Sequence, residues 1–203
     1  MIYRRLVQLY IGLILYGVSM ALMVRANLGL DPWDVFHQGV TRHVGLSFGT
    51  IVILTGAAVL LLWIPLRQKP GIGTISNVFA IGIAVDACLA LLATPQGYPA
   101  RFSMLIAGIV LNGVASGAYI GAGLGPGPRD GLMTGFVRKT GLSIRLVRTT
   151  IEVTVLAIGW LLGGIAGVGT LLYAVSIGWL VQVFLPWFTI EKPSADAPLA
   201  QPS

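Results

Sequence analysis

Asn27-Leu-Gly-Leu-Asp-Pro-Trp-Asp34 occurs a second time, in altered form, as Gly123-Leu-Gly-Pro-Gly-Pro-Arg-Asp130. Leu28, Gly29, Pro32 and Asp34 fall on Leu124, Gly125, Pro128 and Asp130, and the register of 96 residues extends both ways without a gap. Residues 12–51 share 14 identities in 40 positions with 108–147, and 71–89 share 7 in 19 with 167–185. Self-similarity at one fixed offset is the mark of a duplicated unit. The sequence therefore reads as two copies, residues 1–95 and 96–189, with 190–203 as a disordered cytoplasmic tail.

Composition sets the environment. Hydrophobic residues are 56% and charged residues 10% of the 203, and mean hydropathy is +0.87. A soluble domain carries about 25% charge. Apolar runs long enough to cross roughly 30 Å of hydrocarbon recur along the chain. The expected spans are 6–25, 46–66, 72–93, 102–122, 144–164 and 167–188. The first is too long for a signal-peptide core and is read as a retained helix.

Between the first and second spans of each copy lies a Gly/Pro loop and a short segment. Trp33, Phe36, Val40 and Val44 recur at helical spacing, with polar residues on the other side. This predicts an amphipathic helix over 33–44, too short to span. Pro32 suits its first position and Asp31 its N-cap. In the second copy Gly127, Pro128 and Asp130 take the same places.

Three spans per copy make the second copy enter the membrane from the opposite side. With the N-terminus inside, ten Lys and Arg residues fall on inner segments and three (Arg25, Arg42, Arg101) on outer ones. Positive charge favours the cytoplasmic side. The expected fold is thus all-α, with six membrane helices in two inverted three-helix repeats and both termini cytoplasmic. The expected location is the bacterial inner membrane.

Inverted repeats recur in secondary transporters, where matched interruptions in the two halves mark the binding site. The expected function is alternating-access transport of a small polar solute, cationic or zwitterionic. Asp31, Asp34, His37, Asn112 and Asp130 are the candidate binding residues, and Asp86 or Glu152 the candidate coupling carboxylate. Several have a structural alternative. A first-turn acid also complements a helix dipole, Glu152 stands four residues from Arg148, and Asn112 suits an interhelical hydrogen bond. Arg25 is expected to reach the membrane interface.

Other classes fit less well. Cys88 is the sole cysteine and there are two histidines, so neither a disulfide nor a metal motif is expected. No nucleophile–base signature or phosphate loop is present, so no enzyme and no cofactor are expected. The net charge of +6 is read as membrane orientation, not nucleic-acid binding. A non-transporting accessory protein that supports a membrane partner is the alternative. Six spans also leave a homodimer open. The GLGLDPWDVF and GLGPGPRDGL loops resemble the YczE/YyaS/YitT group of small bacterial membrane proteins over roughly residues 5–188. That resemblance implies an integral inner-membrane protein and supplies no catalytic residues.

Overall fold

The computed structural model describes residues 2–190, so the expected tail lies almost wholly outside the described residues. The described residues form eight helices and no strand. They are α1 (Ile2–Ala26), α2 (Pro32–Val44), α3 (Phe48–Trp63), α4 (Ile72–Leu91), α5 (Tyr98–Gly121), α6 (Pro128–Thr140), α7 (Ile144–Leu161) and α8 (Val168–Phe188). Four of them (α1, α4, α5 and α8) are long and apolar enough to cross a membrane; α2 and α3, bent by 113°, make up to a fifth crossing together. The six expected spans coincide with α1, α3, α4, α5, α7 and α8, but α3 has 16 residues and α7 carries Arg145, Arg148 and Glu152. Length and composition alone therefore support four or five crossings.

Local sequence explains where the helices begin and end. Asp31 sits in extended backbone and accepts hydrogen bonds from the N–H groups of Trp33 (2.9 Å) and Asp34 (3.0 Å), with Pro32 at the first helical position. Such a cap contributes about 1 kcal/mol. Gly45 and Gly141 close α2 and α6 in the left-handed conformation, which glycine adopts without steric cost. Ser47 and Ser143 then cap α3 and α7. At the starts of α4 and α8, the Thr74 and Thr170 hydroxyls accept from the N–H of Gly71 and Gly167.

Packing is organised on glycine. A methyl group on Gly12 of α1 would strike Ala115, Ala118 and Tyr119 of α5; one on Gly108 of α5 would strike Ser19, Leu22 and Met23 of α1. These contacts hold α1 and α5 antiparallel at close range. Gly17 seats α4 through Ile81, Ala84 and Val85, while Gly113 seats α8 through Leu180 and Phe184. Thus α4 runs with α1, and α8 with α5. Gly113, Gly117 and Gly121, spaced every four residues along α5, form a packing surface set against Leu180, Phe184 and Phe188.

The two Gly/Pro loops dock on opposite partners. Gly73 N–H at the start of α4 donates to Leu124 O at 2.9 Å, and Gly169 N–H at the start of α8 donates to Leu28 O at 2.8 Å. Arg101 anchors the end of α1 through Ala26 O (2.7 Å) and Asn27 O (2.5 Å). Arg25 donates to Leu89 O near the end of α4, so this side chain caps a helix terminus besides ending α1. The short helices complete the body, α2 against α7 and α6 against α3.

Candidate functional site

The N-termini of α2 and α6 come together beside a cavity of ≈ 410 Å³ bounded by α1 to α8. Volumes of about 300–1,000 Å³ are usual for small-molecule sites. Asp31, His37, Arg129 and Asp130 reach its wall, with Tyr16 and Tyr119 beneath them and Arg148 and Glu152 on the α7 side.

A cation from one copy meets acids from the other. The Arg129 guanidinium lies 3.5 Å from Asp31 Oδ1 and 3.7 Å from Asp34 Oδ1, and stands 4.9 Å from the centre of the Trp33 ring. Both carboxylates are buried, at 1% and 0% exposure. The second oxygen of each, Asp31 Oδ2 and Asp34 Oδ2, is buried with no hydrogen-bond partner among the described residues. An unsatisfied buried acceptor costs on the order of 1–3 kcal/mol. Such an acceptor suits a donor-rich or cationic group, and of the two residues Asp31 lines the cavity.

The remaining candidates are distributed around this centre. His37 Nδ1 is 3.0 Å from Asp34 Oδ1, and its ring meets Phe36 and Phe48 edge-on. Asp34 thus stands behind Asp31, tied to His37. Asp130, half-buried, accepts a hydrogen bond from Tyr119 at 3.3 Å. Asp34 and Asp130 occupy matching positions in the sequence but have unlike partners. Asn112, fully buried, donates to Ser19 Oγ at 2.8 Å and accepts from Tyr173 at 3.0 Å, joining α5 to α1 and α8.

The two candidate coupling acids separate. Asp86 accepts from Gly49 N–H at 2.7 Å and from the Ser47 hydroxyl, at the N-terminus of α3 and away from the cavity lining. An acid there complements the positive helix end. Glu152 does line the cavity and accepts from Arg148 Nε at 2.9 Å. Gln182, the counterpart of Asp86 in the second copy, also reaches the wall. Among the described residues, no three His, Cys, Asp or Glu side chains converge as metal ligands.

Arg129 is the residue that sequence reasoning undervalued. Arg129 and Arg148 are two of the ten Lys and Arg residues on the expected inner segments, yet both face the cavity. Setting those two aside leaves eight inner cations against three outer ones. A signal existed: Arg129 replaces Trp33 in the repeated loop, next to the retained acid. Its partners, however, lie about a hundred residues earlier.

A family model described as a family of unknown function, DUF6198, matches residues 3–186. A Haemophilus influenzae protein described as an uncharacterised protein is 38% identical over 90% of this chain and 84% of its own length. The uncharacterised membrane protein YczE of Bacillus subtilis is 37% identical over 87% of this chain and 83% of its own. YyaS of the same organism is 27% identical over 87% and 90%. No solved structure matches. With several helices apolar enough to span a bilayer and a relative described as a membrane protein, this chain is a membrane protein and belongs to the DUF6198 family.

Proposed function

We propose that the protein is a carrier of a small cationic or zwitterionic solute, built from two inverted halves that cross the bacterial inner membrane three times each, with both termini cytoplasmic. The observation that carries this reading is the unpartnered carboxylate oxygen of Asp31, a residue in the wall of a cavity lined by both halves, backed by the unpartnered Oδ2 of Asp34 behind it. An ammonium group supplies the donors these oxygens lack. Arg129 stays bound to their other oxygens and is placed to receive a solute carboxylate.

Matched contacts support the division into two halves. Gly12 on Ala115, Ala118 and Tyr119 repeats as Gly108 on Ser19, Leu22 and Met23, each partner displaced by 96 residues. The Leu28–Gly169 and Leu124–Gly73 hydrogen bonds obey the same exchange. Interrupted segments at equivalent places around a central cavity are the plan of inverted-repeat transporters. Nothing in this plan calls for catalysis.

The test is a thermal-stability screen of the purified protein with small amines, quaternary ammonium compounds and amino acids. At least one cationic or zwitterionic compound is expected to raise the melting temperature of the wild type and not of the Asp31→Asn, Asp34→Asn double variant. That compound should then accumulate in proteoliposomes containing wild-type protein. Stabilisation by anions alone, retained in the double variant, would overturn the reading.

A further inference from the structure

The equivalent helix pairs α3–α4 and α7–α8 are packed differently. Gly49 of α3 lies against Gly82 O, Gly82 of α4 lies against Gly49 O and Ile53, and Gly56 lies against Val78. A methyl group on Gly49 would come within 2.0 Å of that carbonyl oxygen, so α3 is sealed to α4 backbone against backbone. At the matched positions α7 has Arg145 for Gly49, Arg148 for Val52 and Glu152 for Gly56. Gly82 persists in α8 as Gly178, but a methyl group there would meet open space. Among the described residues, α7 makes no packing on α8 comparable to that of α3 on α4.

The gap is lined by chemistry that hydrocarbon does not tolerate. Arg148 and Glu152 are 56% and 40% exposed, and they line the cavity together with Tyr173, Gly178 and Gln182. A charged pair left in acyl chains is costly, and such groups in membrane proteins face protein or a water-filled cavity. The gap also leads to the acids. Asp31, Asp130 and Glu152 face the same space as Arg129 and Arg148, with Asp34 directly behind. Three carboxylates in the wall, with Asp34 behind them, against two guanidiniums make the route electronegative when all are ionised.

We propose that the gap between α7 and α8 is a water-filled side portal into the cavity, selective for cations, with Glu152 as a specificity-determining residue. Sealing of α3 to α4 confines this entrance to one side of the molecule. Glu152 offsets the positive charge of Arg148 at the entrance, so that cations are not repelled there, and Asp31 and Asp34 hold negative charge further in. The portal deepens the carrier reading, on which only the identity of what passes through it depends. Its physical existence is measurable without turnover.

The experiment uses single cysteines at Gly178 and, separately, at Gln182, in a Cys88→Ser background, with Val175→Cys as a lipid-facing control (Val175 is 84% exposed). Membranes are treated with a permanently cationic and a permanently anionic methanethiosulfonate reagent of similar size. Gly178→Cys and Gln182→Cys should react with the cationic reagent at least about tenfold faster than Val175→Cys, and about tenfold faster than with the anionic one, the low end of focusing by a charged cleft. Adding Glu152→Gln should cut the cation preference several-fold while leaving the reactivity of Val175→Cys unchanged. If both portal cysteines react no faster than Val175→Cys, the gap is filled by lipid or by another chain and the proposal falls. If they react quickly but without charge preference, or keep that preference in Glu152→Gln, the selectivity assigned to Glu152 is overturned. Rapid, cation-selective labelling with no solute transport would sink the carrier reading alone.

Discussion

The loops over residues 27–31 and 123–127 share a backbone and divide the chemistry. Asn27 and Gly123 both have positive φ, at 53° and 65°, and Gly29 and Gly125 follow at 115° and 129°. Each loop hands the chain to a proline-initiated short helix that ends in a left-handed glycine. The side chains diverge on this common frame: Asp31 against Gly127, Trp33 against Arg129, His37 against Met133. The first loop thus contributes acids and an aromatic face, the second a guanidinium that lies across both. Duplication fixed the path of the backbone, while substitution made two equivalent helix ends into opposite halves of one charged site.

Removing the link between the loops should have the largest effect. Arg129→Ala leaves two buried carboxylates without their cation, and the expected loss is about 3 kcal/mol, the low end for a broken buried pair because the guanidinium is 30% exposed. Unfolding in mixed micelles over a detergent titration measures it. Adding Asp31→Asn to Arg129→Ala should recover part of the loss; a further loss of equal size would mean that Arg129 acts elsewhere.

The next effect asks whether the backbones are equivalent. Gly29→Ala places a methyl group 2.7 Å from Gly167 N and 2.8 Å from Thr170 N, and Gly125→Ala places one 2.8 Å from Thr74 Oγ1. Both also force an L-residue into a conformation it rarely adopts, for an expected loss of about 2 kcal/mol each. Similar losses in the same titration support the matched frame. A near-neutral Gly125→Ala would show that the second loop relaxes where the first cannot.

The smallest effect concerns a place where the copies share position but not residue. Asn112 corresponds to Tyr16, and its amide links Ser19 to Tyr173. Interhelical hydrogen bonds in membranes average about 0.6 kcal/mol, so Asn112→Ala should cost about 1 kcal/mol for the two. Solute-induced stabilisation should persist in this variant. Its complete loss would move Asn112 from packing into the binding site.

Sequence made the elements legible because their determinants are local. The span expected at 72–93 is α4 at Ile72–Leu91, the span expected at 167–188 is α8 at Val168–Phe188, and the short helix expected at 33–44 is α2 at Pro32–Val44. Asp31 was readable as an N-cap because the acid and the following proline suffice to define one. The site was harder to read. Asp34 and Asp130 stood out as a matched pair, yet the central ion pairs join Arg129 to Asp31 and Asp34, a relation only tertiary packing creates. The role of Asp86 at the start of α3 is invisible in its own helix, because its partners, Ser47 and Gly49, belong to another part of the chain. Arg148 and Glu152 were recognisable as an i, i+4 pair, but nothing in their own helix revealed that α7 stands apart from α8.

The crossed loop contacts also impose an order on synthesis. Leu28 is made early, yet the Gly169 amide that its carbonyl accepts from follows roughly 140 residues later. At about 5–20 residues per second, the nascent first loop waits on the order of ten seconds for that partner. Gly73 and Leu124 are separated by only about 50 residues, so the second loop finds its partner already made when it emerges. The first loop gains Arg101 and then Arg129 on the way, but its contact with α8 is the last to form.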